Sequence, residues 1–133
     1  MRKIATIVFF ISCFCLGGTF THAQEKDSFQ TESLTVPVDT HQLMGTLTLP
    51  NGSGPYPLVL IIAGSGPVNR DGNQPGMKPD TYKQLAAGLA GQGIATFRYD
   101  KRGVGESVYF MDEINLRFDQ YIDDATAWIT QLH

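Results

Sequence analysis

The stretch from residue 58 to residue 72 constrains this chain most. Residues 58–63 read Leu-Val-Leu-Ile-Ile-Ala, an unbroken apolar run that is typical of a parallel strand buried on both faces. The run ends at Gly64-Ser65-Gly66-Pro67, because glycine permits unusual dihedral angles and proline interrupts regular structure. Open α/β sheets bind ligands at the carboxyl edge of their strands, so we expect this loop to border a binding site.

The segments around this strand predict a mixed α/β architecture. Residues 34–38 and 43–49 alternate apolar and polar side chains, which indicates an antiparallel hairpin with a turn at residues 39–41. Asp80 is expected to cap a helix that runs to about Gln92. A strand over residues 94–99 follows, and strand, helix and strand together predict a right-handed βαβ unit.

The last part of the chain predicts a second helix, from about residue 117 to the end. One broad apolar face follows the helical period and consists of Phe118, Tyr121, Ile122, Ala125, Trp128, Ile129 and Leu132. Asp119, Asp123 and Asp124 lie largely off that face. Three carboxylates on one helix raise the alternative of a metal site, but no histidine or further ligand stands nearby, so we interpret them as a solvated face and expect no metal.

The first 23 residues have the layout of a secretory signal peptide. Arg2 and Lys3 precede a 13-residue apolar core, and small and polar residues lead to Ala23, after which we expect cleavage. A membrane anchor is the alternative, although the run is shorter than the roughly 20 residues that a spanning helix needs. Cleavage would remove both cysteines and leave 8 basic against 13 acidic residues, a formal net charge of −5. This balance argues against nucleic acid or an anionic membrane as the partner.

Two glycine-rich stretches together resemble the α/β-hydrolase family. The first is Ala63-Gly64-Ser65-Gly66-Pro67, followed by Asn69-Arg70-Asp71-Gly72. The second, residues 98–107, reads Arg-Tyr-Asp-Lys-Arg-Gly-Val-Gly-Glu-Ser and is similar to the family's turn after its fourth strand, of the form Asp-x-Arg-Gly-x-Gly-x-Ser. The resemblance covers about residues 30–133 and is greatest to exported bacterial esterase-like hydrolases, near the serine aminopeptidase and dienelactone hydrolase branches. It implies that residues 24–133 form the N-terminal part of an α/β-hydrolase domain.

The family resemblance implies a serine nucleophile, a histidine base and an acidic residue, together with a backbone oxyanion donor after the third strand. Carried over, that donor is the N–H of Ser65 or Gly66. Arg70 and Asp71 either form an internal salt link that shapes the loop or line the cleft, and we favour the salt link. Asp100, Arg102 and Ser107 are expected to hold their own turn together.

The family's nucleophile motif, Gly-x-Ser-x-Gly, is absent from the printed sequence, in which no serine has glycine at both −2 and +2. His41 and His133 are expected to be solvent-exposed, so neither is a plausible base. We therefore expect this chain to supply the oxyanion loop without the triad and to be inactive alone. We also expect the strand at 58–63 to become an open sheet edge that favours self-association.

Three functions stay open at this stage. The first is a serine hydrolase that acts on small ester, or short peptide, substrates without a cofactor. The second is a non-catalytic exported binding or interaction module built from the same half-sheet. The third is a phosphate or nucleotide site at Gly64-Ser65-Gly66, which lacks the Gly-Lys-Ser or Gly-Lys-Thr that a phosphate-binding loop would need.

Overall fold

The computed structural model of the chain describes residues 29–39, 41–109 and 113–133. The signal peptide predicted for residues 1–23 lies outside these ranges. The described part contains four strands and two α-helices, in the order β1 (Phe29–Val38), β2 (His41–Pro50), β3 (Leu58–Ile61), α1 (Thr81–Ala90), β4 (Ala95–Tyr99) and α2 (Phe118–Leu132), with a short 3-10 turn at Glu113–Asn115.

The four strands form one mixed sheet in the order β1-β2-β4-β3. β1 and β2 pair as the predicted antiparallel hairpin, and β2 continues the sheet antiparallel to β4. β3 pairs with β4 in parallel, with Ile61 opposite Arg98, as the predicted βαβ unit requires. The carboxyl ends of β3 and β4 therefore meet at the same edge of the sheet.

The core lies between the sheet and α2. Trp128 is fully buried, and its ring centroid lies 4.5 Å from that of Phe97 and 6.0 Å from that of Tyr99. Phe97 reaches across its neighbour β2 because position 45 is glycine, where an added Cβ would lie only 3.0 Å from Cε1 of the Phe97 ring. α1 packs against β4 and β2 through the buried Ala86 and Ala90.

Arg98 and Thr96 alternate with these aromatic residues along β4, and both are buried. The Arg98 guanidinium donates 2.9 Å to Thr48 Oγ1 and 3.1 Å to Asp71 Oδ1. The two faces of the central strand are therefore chemically different, with an aromatic core under α2 and a polar layer on the other side.

β3 is more exposed than its sequence predicted. It lies at the edge of the sheet, and Leu58, Val59 and Ile62 are 42%, 40% and 55% exposed. The prediction that this run is buried on both faces is wrong for the described chain, because β4 is its single strand neighbour there. The predicted open edge is what the structure shows.

Of two local predictions, one is wrong and the other holds only for the position of the residue. His41 is buried rather than exposed, because it is the first residue of β2 and its ring centroid lies 4.7 Å from that of Tyr109. Asp80 occupies the predicted N-cap position of α1, but its side chain makes no capping hydrogen bond. Its carboxylate instead accepts a 2.6 Å hydrogen bond from the Asn73 side-chain amide, and Asp80 itself has a left-handed backbone with φ of 52°.

Candidate functional site

A cleft of about 730 Å³ opens at the edge where β3 and β4 end. One wall is the β3 loop, residues 62–72, and the floor is the β4 turn, residues 100–107. The segment that enters α2 forms the remaining side. The lining residues are Ile62, Ala63, Gly64, Ser65, Gly66, Pro67, Tyr99, Lys101, Arg102, Gly103, Val104, Tyr109, Leu116, Phe118 and Tyr121. The carboxyl edge of a parallel pair is where the sequence placed the site.

The predicted site residues Ser65 and Gly66 both lie in the cleft wall and are exposed. Gly66 has a φ of 86°, which L-residues rarely adopt. A Cβ added at Gly64 or Gly66 would meet no atom within 4 Å, so neither glycine is required by crowding. In the described ranges neither the Ser65 nor the Gly66 N–H donates a backbone hydrogen bond.

Lys101 connects the floor of the cleft to this wall. Its side chain is buried, and Nζ donates to the carbonyl oxygen of Gly64 and, over 2.8 Å, to that of Gly66. An ammonium group is a strong donor, and these two bonds immobilise the carbonyls on either side of Ser65. This contact could not be predicted from the sequence, because it joins residues 37 and 35 positions apart through tertiary structure.

The β4 turn is organised around the carboxylate of Asp100, which is 2% exposed. It accepts 2.7 Å and 2.9 Å hydrogen bonds from the backbone N–H groups of Arg70 and Glu106. Ser107 Oγ donates to the Asp100 carbonyl over 2.7 Å and accepts from Met44 N over 2.9 Å. Asp100 and Ser107 thus stabilise the turn, as predicted.

Arg70 and Asp71 do not bind each other, and the favoured salt link between them is wrong. Arg70 reaches across to the β4 turn, where its guanidinium pairs with Asp100 over 2.8 Å and with Glu106. Asp71 pairs instead with Arg98 over 3.1 Å. Both residues anchor the β3 loop to β4 and its turn, a long-range role that neighbouring positions in the sequence cannot reveal.

Arg102 and Asp124 form a buried ion pair below the turn. Asp124 is fully buried, with 2.6 Å between its Oδ1 and Arg102 Nη2, so the prediction that it lies on a solvated face is wrong. Asp39, at the end of the β1–β2 hairpin, binds the same guanidinium over 2.9 Å. The hydrogen bond to Asp124 is the main cause that raises the pKa of Arg102 above its ordinary value. Arg102 therefore ties three elements together.

The remaining cleft wall is aromatic and aliphatic, with Leu116, Phe118 and Tyr121 opposite the β3 loop. Tyr99 lies at the bottom, and burial, with a smaller contribution from the Asp124 carboxylate, raises its pKa to about 12. Its phenol therefore stays neutral near pH 7 and is a poor base or nucleophile. The surface suits an apolar group of a ligand.

Residues 29–39, 41–109 and 113–133 hold no cluster of three or more histidine, cysteine or carboxylate side chains that could bind a metal ion. No helix in these ranges has the length and apolar character needed to cross a bilayer.

The chain is similar to known proteins both in sequence and in fold. The chain is 38% identical over 85 residues to esterase EstD of Thermotoga maritima, a match that covers 63% of this chain and 19% of the esterase. The crystal structure of VinJ superposes with a TM-score of 0.55 at 22% identity and covers 76% of this chain and 31% of VinJ. A cold-adapted esterase from an Arctic intertidal metagenomic library reaches a TM-score of 0.49 at 24% identity, with 78% and 40% covered. No protein-family model matches the chain.

Proposed function

We propose that the protein is a serine hydrolase that cleaves ester bonds by acyl transfer, on the premise that this chain has part of an α/β-hydrolase fold and an esterase as a sequence relative. The chain spans about a fifth of that esterase and about a third of VinJ. The activity of the whole protein is accordingly part of the proposal. Amide bonds, which react through the same tetrahedral intermediate, are the secondary substrate class.

The observation that carries this proposal is the β3 loop. Its Ser65 and Gly66 N–H groups border an open cleft and donate no backbone hydrogen bond within the described part of the chain. An acyl-transfer intermediate develops negative charge on an oxygen, and fixed N–H donors stabilise that charge. We assign the oxyanion donor to this pair, beside an apolar wall that suits an acyl or alcohol group.

We further propose that the nucleophile, acid and base are not supplied by this chain. None of its serines lies in Gly-x-Ser-x-Gly. His41 is buried against Tyr109 and does not line the cleft. The chain would then contribute the oxyanion loop and the cleft wall, and would be inactive alone.

The test compares the 133-residue chain with the full polypeptide encoded by the native gene. We expect the gene product to hydrolyse p-nitrophenyl acetate or butyrate and to be labelled on serine by a fluorophosphonate, and the chain to do neither. A gene product that reacts with neither reagent overturns the hydrolase proposal. Labelling of a serine in the 133-residue chain would instead overturn the proposal that this chain does not supply the nucleophile.

A non-catalytic exported binding module is the second candidate. The cleft is present in a chain without the nucleophile motif, and its Ser65 and Gly66 N–H groups, which donate no backbone hydrogen bond within the described ranges, would also hold a carboxylate ligand without cleaving it. Saturable binding of a carboxylate by the 133-residue chain, together with an inert gene product, would favour this candidate over the enzyme.

We propose export on the basis of residues 1–23 alone. Expression in a Gram-negative host should yield a periplasmic protein whose N-terminus is Gln24. Retention of Met1 in the mature product would refute the proposal.

We also propose that the chain self-associates through β3. Its open edge carries exposed apolar side chains, and unpaired edges template pairing with another strand. Light scattering should show mass that increases with concentration, and Val59→Lys should reduce it. A monomeric chain with a cooperative thermal transition would contradict this proposal.

A further inference from the structure

We infer that Lys101 is a positioning residue, which holds the β3 loop so that the Ser65 N–H faces the open side of the cleft. The inference rests on the proposed function for its catalytic consequence, but its structural content can be tested independently. It also selects Ser65 from the two candidate donors, Ser65 and Gly66.

The geometry of the Gly64–Ser65 peptide sets the direction of the Ser65 N–H. This peptide is trans, so the Gly64 carbonyl and the Ser65 N–H share one plane and point in opposite directions. The Gly64 oxygen is bound by Lys101 Nζ. The Ser65 N–H therefore points away from the ammonium group, and Ser65 is exposed in the cleft wall.

Lys101 makes a second bond to the loop, at Gly66. Nζ also binds the Gly66 oxygen over 2.8 Å, so a single ammonium group holds the Gly64–Ser65 and Gly66–Pro67 peptides, which flank the Ser65–Gly66 peptide. The intervening peptide carries the Gly66 N–H and has its own carbonyl on Ser65, and neither of the two Lys101 bonds is made to that oxygen. The Ser65 N–H is therefore the donor whose orientation is directly fixed.

Without Lys101, the β3 loop would have little to restrain it around Ser65. Gly64 and Gly66 have no neighbours around a Cβ position, so side-chain packing does not restrain them. Glycine is also the residue with the most backbone freedom. Lys101 is buried in the β4 turn, directly after Asp100. Its bonds to the Gly64 and Gly66 carbonyls therefore fix this part of the loop relative to the turn.

The structural arm of the test measures backbone ¹⁵N order parameters in the 133-residue chain. Lys101→Met keeps the apolar stem and removes the donor, Lys101→Arg keeps a cationic donor, and Lys83→Met is the matched control on the exposed surface of α1. We expect the Ser65 order parameter to fall from about 0.85 to below about 0.6 in Lys101→Met alone. An unchanged Ser65 value in a folded Lys101→Met chain overturns the inference, whether or not any ester is hydrolysed.

The catalytic arm uses the same three variants in the full gene product. A donor that acts on charge in the transition state changes kcat more than KM, so Lys101→Met should lower kcat about tenfold to a hundredfold and leave KM within about twofold. Lys101→Arg should recover much of the loss, and Lys83→Met should resemble the parent. A rise in KM without a fall in kcat would contradict the inference by assigning Lys101 to substrate binding.

The two arms separate this inference from the proposed function. A parent gene product that hydrolyses no ester refutes the hydrolase proposal, and the order parameters then still decide whether Lys101 holds the loop. An active parent with an equally active, folded Lys101→Met variant refutes the inference and leaves the hydrolase proposal standing.

Discussion

Gly64 in the β3 loop and Gly105 in the β4 turn have opposite roles at the same edge of the sheet. In the β4 turn the chain closes on a buried carboxylate, and a Cβ at Gly105 would overlap it, with Asp100 Oδ1 2.7 Å away. In the β3 loop a Cβ at Gly64 would meet nothing within 4 Å. Gly105 thus permits close packing within the β4 turn, whereas Gly64 leaves the surface of the β3 loop accessible to a ligand.

The charged side chains of the β4 turn and the β3 loop also differ in what they bind. Three backbone or side-chain donors converge on Asp100, and Arg102 beneath it is paired with the buried Asp124. The β3 loop is instead attached to the β4 turn by Lys101, which binds the Gly64 and Gly66 carbonyls, and by its own Arg70, which binds Asp100. The turn is therefore the rigid support, and the loop is the surface that it positions. Mutations should separate the two regions by their effect on stability.

The largest effect is expected from Arg102→Met. It would leave Asp124 buried without its partner, and breaking a buried ion pair in this way costs about 3–5 kcal/mol. Urea denaturation should show this loss in the free energy of unfolding. Arg117→Met is the matched control, because Arg117 pairs with Asp119 on the exposed surface and should contribute less than about 1 kcal/mol. Equal losses for both variants would contradict a structural role of the Arg102 pair.

Gly105→Ala should have the next largest effect. Its φ of 58° is costly for a residue with a Cβ, by about 1–2 kcal/mol, and the overlap with Asp100 adds to that. We expect a total loss of about 3 kcal/mol in the same denaturation experiment. A loss below about 1 kcal/mol would mean that the turn can relax around the new methyl group. The β4 turn would then not be the rigid support of the β3 loop.

Sequence reasoning succeeded for features that depend on local pattern. Strand alternation gave the hairpin, and the apolar run followed by glycine gave β3 and the place of the cleft. It failed for side chains whose partners are distant along the chain. Asp124 lies four residues before Trp128, at the border of the apolar face of the helix, but the helical period does not identify Arg102, 22 residues earlier, as the partner that binds it in the core. His41 and Lys101 were misjudged or missed for the same reason, since their contacts exist only once the sheet has formed.

Tyr99 provides a pH-dependent comparison. Its pKa is raised from 10.0 to about 12 in the folded protein, so folding favours the neutral phenol. The resulting stabilisation is present below pH 10 and is lost as the pH rises from 10 to 12, by about 3 kcal/mol in total. The stability of Tyr99→Phe relative to the parent should therefore increase over that interval. A difference that stays constant with pH would mean that the phenol is not protected from solvent beneath the cleft.

The smallest expected effect on stability, and the sharpest test of the comparison, is Gly64→Ala. Its new methyl group meets no neighbour and its φ lies outside the left-handed region, so the free energy of unfolding should change by no more than about 0.5 kcal/mol. The same methyl group would stand on the wall beside the Ser65 N–H, where a reacting oxygen has to approach. Under the proposed function the gene product should lose esterase activity, measured as kcat/KM, while its denaturation midpoint stays that of the parent. A stable variant with full activity would show that the β3 loop does not approach the substrate, whereas a destabilised variant would show that Gly64, like Gly105, is needed for packing.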